Sequence, residues 1–358
     1  MQEKVRNRLL QPSILLTLIT FMFTSQVALA NTVDEVSALN MWQDAPSLPY
    51  RVQEIYPTVF ENHIVVAGGL SPDVDANKIG VSKRVIAFNI ESSLWIEWPA
   101  LPEPRHHPML VVVGERLFAF GGFVQDSNGM WHNSVDVLEL IRKDDTRSNT
   151  GATWNKVAKL PAPLAETLSA VHNNKVHLVS GRTPSKAAKN SQWNDQIDVN
   201  THYVFDPQTL SFTQAPAIPT ARNSACSVVV NNSLHTIGGR TAAGGNLNTH
   251  EVYSLTTQKW ESLSPLPDAQ GGLACASFNN RIYVFGGEYF NNGGGVYSTV
   301  WEYDIAKDKW QAISEMPNPR HGLGALTVDK RIYVIGGALQ AGGNQTSALM
   351  TVFQPDTH

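Results

Sequence analysis

Apolar and polar positions along the chain fall into short runs that return at regular intervals. Residues 110–113 and 117–120 form two apolar runs separated by Gly114-Glu115. The same two-residue gap recurs as Glu61-Asn62, Asn173-Asn174, Asn231-Asn232, Asn279-Asn280 and Asp329-Lys330. Gly, Asn and Asp tolerate positive φ, so each gap predicts a tight hairpin turn. Runs such as Ile282-Tyr283-Val284-Phe285 are apolar at every position, the pattern of a strand covered on both faces by stacked sheets. A third strand is predicted after each hairpin, as at residues 300–304, and a fourth carries an aromatic residue.

These units repeat six times. Six small pairs end the second strands: Gly68-Gly69, Gly121-Gly122, Ser180-Gly181, Gly238-Gly239, Gly286-Gly287 and Gly336-Gly337. Pro49, Pro102, Pro161, Pro219, Pro267 and Pro317 each stand 19 residues before the first member of a pair. Trp42, Trp95, Trp154, Phe212, Trp260 and Trp310 each stand seven residues before a proline. Four strands in each repeat of 48 to 59 residues predict propeller blades. The sixth unit has a third strand near residues 349–353 and no tryptophan after it, whereas Trp42 precedes the first hairpin. The N-terminal strand is therefore expected to complete the last blade and remove the open seam.

Composition changes the picture mainly at the N-terminus. Lys4, Arg6 and Arg8, an apolar run over residues 14–23 and Ala28-Leu29-Ala30 have the layout of a secretory signal peptide. The expected organisation is a signal peptide at 1–30, a short linker at 31–40 and a single propeller over 41–358, in a periplasmic or secreted protein. No membrane association is expected after cleavage. Loss of three cations and of Glu3 takes the formal charge from −4 to −6. That balance excludes a nucleic-acid binder by bulk electrostatics. Cys226 and Cys275 are the only cysteines. They stand seven and eight residues past their prolines, so they point to opposite strand faces, which argues against a disulfide.

Unusual polar residues gather in two loop sets on one face. Arg105, Arg222 and Arg320 lie three residues past the prolines of alternate blades, and Arg51 lies one position earlier in the first. His106, His107 and His321 adjoin these arginines, and Glu166 occupies a related place in blade three. Arg182, Arg240 and Glu288 each follow a small pair directly. One reading is a basic mouth that grips an anionic small molecule through guanidinium groups. The other is that the three arginines belong to the repeat and bond loop carbonyls between blades. Long loops at residues 125–133 and 183–200 carry Trp131, His132 and Trp193, which suit stacking on a sugar ring or packing of the loops. No Cys-x-x-Cys, His-Glu-x-x-His or Gly-x-Ser-x-Gly occurs, so no metal, cofactor or serine nucleophile is expected.

The apolar run, the Gly-Gly pair, Tyr303-Asp304 and the spaced tryptophan resemble Kelch repeats over residues 42–358. The expected fold is all-β, a six-bladed Kelch β-propeller with four antiparallel strands per blade. Among exported six-bladed Kelch propellers, the chain resembles the bacterial sialic acid mutarotases, or N-acetylneuraminate epimerases. In that family a glutamate directly after a small pair is the proposed proton acceptor, with an arginine six residues on. Glu288 matches the glutamate; the sixth residue on is Gly294, and Arg240 stands at the place where the family has its glutamate. The resemblance implies a mutarotase or epimerase of sialic acid or another acidic sugar. The expected catalytic residues are Glu288 and Arg222. Ligand contacts are expected from Arg51, Arg105, His106, Glu166, Arg182, Arg240, Arg320 and His321. The alternative is a non-catalytic Kelch module. Propellers of eukaryotic ubiquitin-ligase adaptors hold acidic peptides on this same face, so a protein partner there is the second expectation.

Overall fold

The computed structural model describes residues 41–75, 79–126, 131–142, 151–185 and 195–355. The predicted signal peptide, the linker up to residue 40 and Trp193 lie outside them. Six four-stranded antiparallel sheets form among the described residues. Blade one is Thr58–Phe60, His63–Ala67, Val85–Asn89 and Leu94–Trp98. The next four blades begin at Met109–Val113, Leu168–His172, Cys226–Val230 and Ala274–Phe278. Blade six is Gly324–Val328, Arg331–Ile335 and Met350–Phe353, completed by Trp42–Asp44. Trp42 pairs with Phe353 and Asp44 with Thr351, as the missing tryptophan implied. The first strands of successive blades lie side by side, and that of blade six returns to blade one, closing the ring.

The hairpin turns follow the residue types. Asn173-Asn174, Asn231-Asn232 and Asn279-Asn280 have positive φ at both positions, the requirement of a type I′ turn. Strands apolar at every position serve two neighbours. Ile64 and Val66 pack toward Tyr333, Ile335 and Val352 of blade six. Val65 and Ala67, one step out of phase, pack toward Leu117, Ala119 and Leu138 of blade two. The two-residue period of a strand thus supplies both inter-blade interfaces. Trp95, Trp154, Trp260 and Trp310 donate their indole N–H to backbone carbonyls 2.8–2.9 Å away in the preceding blade.

One inter-blade hydrogen bond recurs at the same motif positions in every blade. The second residue of each pair donates its N–H to the carbonyl of the residue three past the next blade's proline. Gly69 bonds Arg105, Gly122 bonds Leu164, Gly181 bonds Arg222, Gly239 bonds Gln270, Gly287 bonds Arg320 and Gly337 bonds Val52, all at 2.8–3.0 Å. At Gly68, Gly121 and Gly286 a Cβ would lie 2.0–2.1 Å from that carbonyl, whereas blade three accommodates Ser180, whose hydroxyl donates to the Arg222 carbonyl at 2.7 Å. Short ribbons then rise from the pairs, such as Glu288–Tyr289 against Gly295–Val296.

Cys226 and Cys275 form a disulfide, with Cα atoms 5.7 Å apart. The expectation against pairing is corrected here. Blades stack face to face, so adjacent first strands present opposite faces to one another. A residue on the forward face of blade four therefore meets one on the rear face of blade five. Both sulfurs line an axial channel of about 340 Å³ walled by the first strands.

Candidate functional site

The two loop sets meet on one face through isolated bridges. Gln53 pairs with Leu70, Ala165 with Arg182, Asn223 with Arg240, Gly271 with Glu288 and His321 with Ala338. Each pair joins the residue four past a proline to the residue after a small pair. One position further, at five past each proline, lie Glu54, His107, Glu166, Ser224, Gly272 and Gly322, all at positive φ. These six form an inner ring. Its backbone is linked from Gly272 N–H to Ser224, Gly322 to Gly272, Glu54 to Gly322 and His107 to Glu54, at 2.7–3.1 Å.

Charge runs around this ring in pairs. Glu54 Oε2 lies 2.5 Å from His107 Nε2. Glu166 takes a two-pronged contact from Arg182, at 2.5 and 2.6 Å from Nη2 and 3.1 Å from Nε, and accepts the Ser224 hydroxyl at 2.6 Å. Arg240 Nη1 pairs with Glu288 Oε1, while Glu288 Oε2 accepts the Gly342 N–H at 2.7 Å. His321 is buried beside them. Its Nε2 donates to the Gly342 carbonyl at 2.9 Å, which leaves Nδ1 3.4 Å from Glu288 Oε2 and 3.9 Å from Glu54 Oε1.

Burial pushes the Glu54 carboxyl up, but His107, His321 and Arg240 outweigh it and hold the group well below the usual carboxylate range. For Glu166 burial is likewise overcome, by Arg182, His107 and Arg240, to about 2. Burial and then the His107 charge push His106 well below the ordinary histidine value. Burial raises the Tyr56 phenol, and Glu166 and Glu54 raise it further. Two ionised carboxylates and a neutral imidazole thus stand at the mouth at neutral pH.

A pocket of about 770 Å³ opens on one side of this mouth, over blades four, five, six and one. Its polar lining includes Gln53, Glu54, Arg240 and Glu288 together with Thr241, Asn246 and Asn291, and Tyr289, Phe290 and Tyr297 form its aromatic wall. Phe290 stands 63% exposed at the rim. Among the described residues, no group of three or more His, Cys, Asp or Glu is arranged to hold a metal ion.

The structure divides the sequence candidates. It brings Arg240, Glu288 and His321 together at the pocket, and Glu166 with Arg182 beside it. It places Arg105, Arg222 and Arg320 elsewhere, each fully buried. Their guanidinium groups clamp the carbonyl of the first glycine in their own blade: Arg105 to Gly121 at 2.8 Å, Arg222 to Gly238 at 3.3 Å and Arg320 to Gly336 at 2.8 Å. Gln270 does the same to Gly286 at 2.9 Å. Arg222, expected to be catalytic, also pairs with buried Glu251 and is not among the residues lining the pocket. Arg105 and Arg320, expected to contact a ligand, likewise stand outside that lining. Arg51 is exposed and holds Asp73. His106 lies flat on Phe123, with ring centroids 4.8 Å apart, and edge-on to Trp131 at 4.5 Å. Trp131 therefore packs its loop, outside the pocket lining.

Sequence reasoning did not select Glu54, and it mentioned His107 only as a neighbour of Arg105. The signal was available: both share Glu166's position, five residues past a proline.

Fold and repeat pattern together define a six-bladed β-propeller whose repeats are similar to Kelch repeats. A Kelch-repeat domain described as that of KLHDC2, KLHL20 and DRC7 matches residues 190–358. Beta-scruin of Limulus polyphemus is 26% identical over 189 residues, covering 52% of this chain and 19% of the scruin. The Kelch-like protein terF of Aspergillus terreus is 27% identical over 153 residues, 40% of this chain and 30% of that protein. The match spans less than a third of either relative. The solved structure of YjhT superposes with a TM-score of 0.72 at 19% identity, covering 87% of this chain and 98% of that one, a likeness of fold.

Proposed function

We propose that this propeller is an exported carbohydrate-active protein that binds a pyranose in the mouth pocket and catalyses its mutarotation or epimerisation. The observation that carries the reading is the meeting of two carboxylates, Glu54 and Glu288, at one buried imidazole nitrogen of His321 (3.9 and 3.4 Å). They lie in the floor or beneath a pocket walled by three aromatic rings. Mutarotation takes a proton from the anomeric hydroxyl and gives one to the ring oxygen. A carboxylate base and a protonated partner close to each other supply both by general acid–base catalysis, and aromatic faces suit the apolar side of a sugar. The disulfide supports export, since such bonds persist in oxidising compartments. For an acidic sugar such as sialic acid, Arg240 is the pocket-lining arginine, and it is paired with Glu288.

A non-catalytic module is the second reading. It is favoured by the fact that both Glu288 oxygens are engaged, by Arg240 and by the Gly342 amide, so the charge serves the loop architecture as well. NMR of freshly dissolved sugars separates the two. Catalysis predicts anomer exchange faster than buffer for at least one sugar, lost in Glu288→Gln. Exchange at the buffer rate across neutral, amino and acidic sugars refutes the enzyme and leaves the module.

A further inference from the structure

We infer that the pocket floor selects a ligand that donates hydrogen bonds, a neutral hexose or a hexosamine, and disfavours a sugar bearing a carboxylate. The inference rests on the sugar-site reading above and names its substrate class.

Two oxygens at the floor, one from Gln53 and one from Glu54, are open to a donor. Gln53 is fully buried and lines the pocket. Its Nε2 donates to Thr346 Oγ1 at 3.0 Å, and its Oε1 has no partner. Glu54 presents Oε1, which lies 3.9 Å from His321 Nδ1, beyond hydrogen-bond reach; its other oxygen faces His107. His321 Nδ1 is itself buried without a hydrogen bond. The two adjacent oxygens of Gln53 and Glu54 thus ask for donors. A buried acceptor left unpaired is costly, and a ligand group that satisfies it gains accordingly.

Charge points the same way. Among the pocket-lining residues Glu54 and Glu288 are the anions and Arg240 is the cation. Arg240 is already drawn to Glu288, and Glu288, Glu166 and Glu54 together raise its affinity for its proton despite burial. A ligand carboxylate placed at this floor would meet two like charges against a single cation whose Nη1 Glu288 already holds. Such juxtaposition is how a site rejects the wrong partner. Adjacent sugar hydroxyls, or a hydroxyl beside an ammonium, meet Gln53 Oε1 and Glu54 Oε1, while Tyr289, Phe290 and Tyr297 cover a ring face.

Calorimetric titration of the full chain with D-glucose, D-glucosamine, D-glucuronate and N-acetylneuraminate tests this. The expected result is that glucose or glucosamine binds at least tenfold more tightly than glucuronate, which differs from glucose at one carbon. Raising the salt concentration should narrow that gap, since like-charge repulsion is screened. Gln53→Leu should weaken neutral-sugar binding by about tenfold; if that variant fails to fold, the glucose–glucuronate comparison on the wild-type chain decides alone. Glucuronate or N-acetylneuraminate binding as tightly as glucose overturns the inference and leaves the sugar site standing. No binding by any of the four overturns the sugar site and the inference together.

Discussion

Replacing both cysteines, as Cys226→Ala with Cys275→Ala, should cost the fold several kcal/mol without touching the mouth pocket. The bond closes a loop of 49 residues, for which loss of unfolded-state chain entropy corresponds to about 4 kcal/mol. Both side chains are 7% exposed and sit among Leu273, Val284 and Ile237. The alanine pair therefore also loses packing, and the wild-type protein held in reductant isolates the crosslink from it. Urea unfolding followed by tryptophan fluorescence reads the difference. With an m-value of about 3 kcal/mol per molar urea, the midpoint of the reduced protein falls by roughly 1.3 M. Thiol titration of the chain unfolded without reductant should find no free thiol. Two free thiols, or identical midpoints with and without reductant, would refute the assignment of the bond and the face-to-face geometry used to explain it.

Arg222→Ala should destabilise the protein by about 3–5 kcal/mol, because it leaves Glu251 buried without its partner, while the sugar affinity of the folded fraction stays unchanged; thermal unfolding and titration check the two halves. Arg222→Met with Glu251→Leu should recover much of that loss. Acid should weaken the fold in two stages. Burial holds His177, His202 and His235 at about 4 and His250 at about 3. The unfolded chain therefore takes up protons below about 6.5 while the folded one refuses them, and stability falls from there to about pH 4 by at most ~1.4 kcal/mol per unit per histidine, less where solvent screens. Glu54 and Glu166, depressed in the fold, then lose their contribution as pH falls below the ordinary carboxylate value, toward about 2 for Glu166. Unfolding midpoints measured from pH 8 to pH 3 check this, and a flat profile between pH 6.5 and 4 refutes the first stage. Trp42→Ala, which strips the half-buried ring from Phe353 and Phe285, should cost about 2 kcal/mol, read by the same midpoints.

The blades were legible because the hydrogen bond from each second glycine to the next blade repeats at fixed sequence positions, as from Gly122 to Leu164. The strand closing the ring was legible from Trp42 because a missing member of a periodic series is as visible as a present one. The site was less so. Arg105, Arg222 and Arg320 looked like a ligand-binding ring because their threefold placement is regular, but the regularity belongs to the glycine carbonyls they clamp. Glu54 was hidden by the same bias toward arginine, although it holds Glu166's position. The disulfide was hidden for a geometric reason: strand parity tells which face a residue occupies within one sheet, and the outcome depends on how two sheets stack. Arg240 with Glu288 and His321 could be gathered to one face from loop order; that Glu288 is gripped from both sides could not.

The seam between Trp42 and Phe353 has a consequence for assembly. Of the described strands, Trp42–Asp44 comes first in sequence and its partner Met350–Phe353 last, so the first of them waits for the last before it can pair. Until then blade six presents a bare edge, and nothing in the backbone pairing distinguishes a chain's own N-terminal strand from that of a second copy. At high concentration during refolding, two chains can trade these strands and close each other's rings, a domain-swapped dimer. Joining the Trp42–Asp44 segment after Phe353, so that every blade is continuous in sequence, removes the opportunity for exchange.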